Sequence, residues 1–229
     1  MKTLLELHRE VEGCGRCERL RTYCLGVAQE KRRAYLEWEY WGKPVAGFGD
    51  GRARIWIIGL APAAHGANRT GRVFTGDRSG DFLFAGLHRV GLANQAASVR
   101  RGDGLALKDV YISATARCAP PANKPLPMEV ANCASFMDEE WRLLKRKRVM
   151  LALGKIAWDA ALELAGRNGC EITRPRPVFG HGAEARLSNG MVLIGSYHVS
   201  QQNTFTGKLT EGMFDGVLKR CIEAAGGRE

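Results

Sequence analysis

The run IWII, residues 55–58, passes directly into GLAPAAHGANRTGRVFTGDRSG, Gly59–Gly80, and then into DFLFAGLHRVG, Asp81–Gly91. An apolar run that breaks into a Gly-rich loop and resumes as a helical pattern is the strand–loop–helix unit of an α/β fold, and such loops present sites. The loop carries His65, Asn68, Arg69, Arg72, Phe74 and Asp77, yet its first four residues, GLAP, hold neither an acid nor a nucleophile.

Outward from this unit the pattern repeats. RIWIIGL (54–60), VYISAT (110–115), RVMLALG (148–154) and VLIGSYH (192–198) read as buried strands. Helices are expected at Thr3–Val11, Ser79–Leu92, 128–147 after Pro127, 155–166 and 209–227. Residues 31–51 read as a short aromatic-rich helix and a Gly-rich loop, and 176–187 as an extended segment. Prolines exclude a helix from RCAPPANKPLP, 117–127. Strands alternating with helices require crossover connections, so the expected fold is a three-layer α/β/α sandwich around a mostly parallel sheet. Residues 1–229 are read as one domain with an N-terminal metal-binding segment. Ligands then bind at the carboxyl ends of the strands, where three polar loops stand: Gly59–Gly80, ATARCAPPANKP (114–125) and SYHVSQQNTFTGKLT (196–210).

The 229 residues are 45% hydrophobic, ample for a packed core, and carry a formal net charge of +10. Such a balance points to a polyanionic partner, above all nucleic acid. No apolar run approaches the about 18 residues of a membrane span, and MKTLLELHREVEGCGRC lacks the apolar centre of a signal peptide. A cytoplasmic monomer with no membrane partner is expected.

Seven cysteines in a reducing compartment are not a disulfide framework. Cys14 and Cys17 form a C-x-x-C, Cys118 lies in a site loop, and Cys133 follows in a helix. Four thiolates can hold zinc or an iron–sulfur cluster. One knuckle with two widely spaced cysteines suits the larger cluster better, and spacing leaves both open. Cys24 is ambiguous, while Cys170 and Cys221 read as buried thiols.

CGRC, GLAPAAHGANRTGRVFTGDRSG, RCAPPANKP with a cysteine downstream, and SYHVSQQNTFTGKLT, in this order over nearly the whole chain, resemble the uracil-DNA glycosylase superfamily, specifically its family 5 (type B) prokaryotic enzymes. The resemblance implies a glycosylase that starts base excision repair on double-stranded or single-stranded DNA. It also implies a [4Fe–4S] cluster held by Cys14, Cys17, Cys118 and Cys133, with Cys24 free.

Such an enzyme needs a π-face for the extruded base, donors for its oxygens and an acceptor that orients water. Phe74 resembles the family's stacking aromatic, and His198 its base-facing histidine. Backbone amides of Ala63 to Gly66, with His65 and Asn68, are further substrate candidates. Other families place an acid in the motif aligned with GLAP; here Asp77 is the nearest acid, and it serves equally well as a helix cap. Asn123 is the third catalytic candidate. Members strict for uracil carry an asparagine at the end of the strand that reads YISAT, where this chain has Ala114. The resemblance thus implies action on hypoxanthine and xanthine as well as uracil. Gln201, Asn203, Thr204 and Phe205 are expected at the duplex, one of the last three as a wedge, and Arg69, Arg72, Lys124 and Lys208 at phosphates. A DNA-binding module without chemistry and an iron–sulfur redox protein compete with this reading. The second lacks any flavin or nicotinamide fingerprint.

Overall fold

The computed structural model describes residues 2–227. Six strands form one sheet: β1 (Phe48–Gly49), β2 (Ile55–Gly59), β3 (Val110–Ala114), β4 (Val149–Leu153), β5 (Glu184–Arg186) and β6 (Val192–Ser196), in the order β1-β3-β2-β4-β6-β5. β3, β2, β4 and β6 pair in parallel, and β1 and β5 close the two edges antiparallel. All five residues of each inner strand are buried. That is why these strands read as unbroken apolar runs: a parallel sheet is covered on both faces.

The helices are α1 (Leu4–Glu12), α2 (Glu18–Glu30), α3 (Ala67–Thr70), α4 (Arg78–Arg89), α5 (Pro127–Leu143), α6 (Lys155–Arg167), α7 (Gln201–Phe205) and α8 (Glu211–Ala224). Leu83, Phe84 and Leu87 of α4, with Phe214, Val217 and Leu218 of α8, cover the face that shows Ile55, Ile57, Leu151 and Ile194. Met137 and Trp141 of α5, with Trp158, Ala161 and Leu162 of α6, cover the face that shows Trp56, Ile58, Met150 and Leu193. The three-layer sandwich is therefore as expected. The chain leaves β2 toward one face and the adjacent β4 toward the other, which opens a crevice at their carboxyl ends.

Several boundaries differ from expectation. α2 fills a segment for which no element was expected, burying Leu20, Cys24 and Val27 along one side. β6 stops at Ser196, which leaves Tyr197 and His198 in the loop. α5 ends at Leu143 because the chain turns and the Lys147 ammonium donates back to the Trp141 carbonyl. Pro121–Asn123 makes a single 3-10 turn that Ala122 and Asn123 leave at positive φ. The aromatic segment is only a 3-10 turn, Arg33–Tyr35. Among the described residues no helix is long and apolar enough to cross a membrane.

A buried ionic network ties α1 and α5 to the sheet. Arg117 Nη2 lies 2.6 Å from Glu140 Oε2, both side chains 1% exposed. The Tyr111 hydroxyl donates to Glu140 Oε1 at 3.1 Å. Its one proton being used there, His8 donates Nε2–H to Tyr111 at 2.9 Å. Glu140→Leu strands the guanidinium in the core, so urea denaturation should show a loss of about 3–5 kcal/mol. Arg117→Met/Glu140→Leu should recover most of it. A single-variant loss below about 1 kcal/mol would mean that water reaches Arg117.

Candidate active site

The crevice at the carboxyl ends of the parallel strands is a cleft of about 1080 Å³. Ala63, His65, Gly66, Phe74 and Asp77 from the first loop, Asn123 from the second and His198 and Gln201 from the third all line it. Three loops far apart in sequence thus meet, because parallel pairing brings their strand ends side by side.

Phe74 is held with φ at 53°. That left-handed conformation costs a non-glycine residue about 1–3 kcal/mol and persists only where its surroundings enforce it. Gly59 at the end of β2 makes room for the ring: a Cβ there would lie 2.7 Å from Phe74 Cε2 and Cζ. The ring therefore rests directly on the strand end, and its centroid stands 6.2 Å from the His198 ring. Burial holds the His198 pKa below the ordinary 6.5, so the imidazole is neutral at pH 7 and offers one N–H. The Asn203 amide donates to the His198 carbonyl at 2.8 Å, fixing the loop that bears it.

Asp77 divides its two oxygens. Oδ1 caps α4 by accepting the Gly80 N–H at 3.0 Å. Oδ2 turns to the cleft wall beside Gly66, where a Cβ would fall 2.1 Å from it. Glycine at 66 is what lets the carboxylate sit there. Capping does not exhaust the residue, since the second oxygen is left at the cleft. Asn123 is exposed at the mouth with φ at 56°.

The rim was not legible as such. Arg32, Tyr35 and Trp38 line the cleft, from a segment that sequence reasoning marked only as aromatic-rich. Arg69 anchors the two aromatics: its guanidinium carbon stands 3.9 Å from the Tyr35 ring centroid and 4.1 Å from that of Trp38. The same side chain donates to the carbonyls of His65 and Gly76, both at 2.8 Å. Tyr40 hydroxyl and His65 Nδ1 lie 3.0 Å apart, and burial, with the charges of Arg32 and Arg69, keeps the His65 pKa low.

Three expected contacts are corrected by burial. Arg72, expected at phosphates, is 5% exposed and forks onto Asp103 at 2.8 and 2.6 Å, with Ser98 and Thr75 as further acceptors. Arg69, also expected there, is 3% exposed and braces the rim instead. Asn68, expected at substrate, is fully buried and donates to the carbonyls of Cys24 and Ala64. The Gly66 amide is used inside its own turn, on Ala63 O. Lys124 and Lys208 are exposed, and Phe205 stands 75% exposed on α7. Thr204 spends its hydroxyl on the Ser200 carbonyl.

Among the described residues no three His, Cys, Asp or Glu side chains gather closely enough to hold a metal ion. Cys17 and Cys118 nevertheless both lie within electrostatic reach of Cys133, Cys17 packs against the cluster that holds Cys118, and Cys14 against the cluster of Leu7, Val11, Ala46 and Phe136. Burial pushes the Cys133 thiol up to about 11, and its hydrogen bond with Cys24 pushes Cys118 up. The surroundings still suit thiolate. The Asn132 amide donates to Cys17 Sγ at 3.4 Å, and the positive charges of Arg117 and Arg21 act on Cys133 and Cys118 in the sense that favours thiolate. This donor set fits an anionic sulfur-ligated group.

A family model described as the uracil DNA glycosylase superfamily matches residues 46–221. The chain is 49% identical over 225 residues to the type-5 uracil-DNA glycosylase of Mycobacterium tuberculosis (strain CDC 1551 / Oshkosh), covering 98% of this chain and 82% of the relative. It is 47% identical over 213 residues to the type-5 uracil-DNA glycosylase of Thermus thermophilus, 93% of this chain and 94% of the relative. A type-4 uracil-DNA glycosylase of Pyrobaculum aerophilum is 30% identical over 193 residues, 81% of this chain and 89% of that one.

If burial governs the His198 imidazole, its NMR titration midpoint should fall below 6.5, the ordinary value. A midpoint at or above that value would mean that the ring is solvated or paired with a carboxylate.

Proposed function

The chain belongs to the uracil-DNA glycosylase superfamily, and from that premise we propose a mechanism in which the cleft takes up an extruded uracil and hydrolyses its N-glycosidic bond. One observation carries the assignment of roles. Phe74, His198 and Asp77 Oδ2 reach the same cleft from two strand ends, and they supply the π-face, the donor and the acceptor that the reaction needs.

The base stacks on Phe74. As the bond from the sugar C1′ to the base breaks, its electron pair leaves with the base, and the neutral His198 N–H donates to the base oxygen where negative charge grows. Water held by Asp77 Oδ2 attacks C1′ and gives up its proton to that carboxylate or to solvent. Asn123, at the mouth, helps to position the water or the base. No covalent enzyme intermediate is required, so the enzyme is monofunctional.

Ala114 is buried at the end of β3 and brings no amide to the cleft. The lack of a carboxamide reader there supports action on hypoxanthine and xanthine in addition to uracil. Phe205, the most exposed of the candidate wedges, enters the base stack, with Gln201, Asn203 and Thr204 shaping its helix. Lys124 and Lys208 meet phosphates, so affinity falls steeply with salt. Residues 1–229 act as a single-domain monomer on double-stranded or single-stranded DNA.

Cys14, Cys17, Cys118 and Cys133 would hold a [4Fe–4S] cluster, with Cys24, whose thiol donates to the Ala119 carbonyl, outside it. When bound, the cluster supplies a covalent tie between the N-terminal segment, the second site loop and α5.

Two substitutions separate chemistry from capping. Asp77→Asn keeps a good cap and should lower single-turnover uracil excision by about 100-fold or more. Gly66→Ala keeps Asp77 but displaces its carboxylate, since a Cβ would lie 2.1 Å from Oδ2 and 2.9 Å from Cγ; it should slow excision by about 10-fold and, because Oδ1 of the same group caps α4, lower stability by about 1 kcal/mol or less. A full-rate Asp77→Asn enzyme would remove Asp77 from the mechanism. The rate for the parent enzyme should not rise as pH falls from 8 to 7, because a pKa below 6.5 leaves His198 mainly neutral over that range. A rate that climbs as pH falls would make the imidazolium the acting form.

A further inference from the structure

Among the described residues, five buried side-chain atoms lack a hydrogen-bond partner: Arg21 Nη1, Asn68 Oδ1, Arg69 Nη1, and Arg117 Nε and Nη1. Three of the five belong to two arginines, and both arginines face the cysteines. Arg117 immediately precedes Cys118 in sequence, and its charge is felt at Cys133. Its Nη2 is satisfied by Glu140, which leaves the other two nitrogens pointing their hydrogens at nothing. Arg21, one turn into α2 from Cys17, gives Nη2 to the Gly42 carbonyl and puts its charge beside Cys118.

Unfilled donors on a buried guanidinium are costly, more so than on a neutral group. Two arginines bearing three such nitrogens around one set of cysteines mark the place of an anionic acceptor. Thiolates and inorganic sulfides are such acceptors, and hydrogen bonds and net charge at the sulfurs set both the hold on a cluster and its reduction potential. Arg117 is already balanced by Glu140, whereas Arg21 has no carboxylate partner among the described residues. The surplus positive charge is therefore on the Cys118 side.

We infer that Arg21 and Arg117 are positioning residues for the sulfur-ligated group held by Cys14, Cys17, Cys118 and Cys133, donating N–H to its sulfurs and offsetting its negative charge. This rests on the cluster reading given above. The Arg117–Glu140 pair is then more than a core strut. By fixing Nη2 it aims Nε and Nη1, and through Tyr111 and His8 it connects that aim to α1.

The test uses the protein purified without oxygen, in its parent form and as Arg21→Met and Arg117→Met/Glu140→Gln. The double change avoids stranding a buried carboxylate. Iron and sulfide per chain, loss of visible absorbance to a chelator, and reduction potential by film voltammetry are measured on each, with melts to confirm folding. Both variants should release iron about 10-fold faster than the parent or more, and their potentials should fall: Arg21→Met loses a positive charge and a donor, while the double variant, which removes the Arg117 and Glu140 charges together, loses donors alone and should fall by less. A parent that holds iron, with variants that match its release rate and potential, overturns this inference and leaves the cluster reading intact. A parent without iron overturns the cluster reading first and this inference with it. Should the double variant fail to fold, Arg21→Met decides alone, because its side chain is only half-buried and lies outside the ionic pair.

Discussion

Parallel pairing of β3, β2, β4 and β6 is the constraint on which the rest depends. It places four carboxyl ends along one edge of the sheet, so loops separated by more than a hundred residues have to meet there. Burial of every residue in those strands makes the edge rigid, and a rigid edge can hold a strained side chain. Phe74 in left-handed backbone against Gly59 is the clearest case. The cost of that conformation is met by packing elsewhere in the sheet, and its result is an aromatic face fixed at the floor of the cleft.

What the sequence made legible follows from the same physics. Strands buried on both faces leave continuous apolar runs, so all four inner strands were readable. α2 was not, because only Leu20, Cys24 and Val27 mark its buried side, and Gly26 interrupts the pattern. Polar side chains were harder still. Arg72 looks like any loop arginine until Asp103 is brought to it from 31 positions away. Arg69 looks the same until Tyr35 and Trp38 close over it. Local sequence carries no record of such partners. The aromatic richness of residues 35–41 was visible; that it forms a cleft rim was not, since the anchor lies in another loop.

Asp77 shows why a choice between capping and chemistry is too simple. The N-cap geometry of α4 positions the residue, and the oxygen not used by the cap is the one delivered to the cleft. A helix start thus serves as the orienting device for a polar group. His198 is oriented differently. β6 ends two residues before it, and the amide of Asn203, on the short helix that follows, holds its carbonyl. Neither group is on a free-swinging loop, which is what a reaction dependent on placement requires.

The most direct measurement of this account is a crystal structure of the enzyme with an abasic duplex and free uracil. The account predicts the pyrimidine ring stacked on Phe74, a base oxygen about 2.7–3.2 Å from a His198 ring nitrogen, and an ordered water between Asp77 Oδ2 and the sugar carbon. Uracil bound away from Phe74, or a water held by groups other than Asp77, would contradict it.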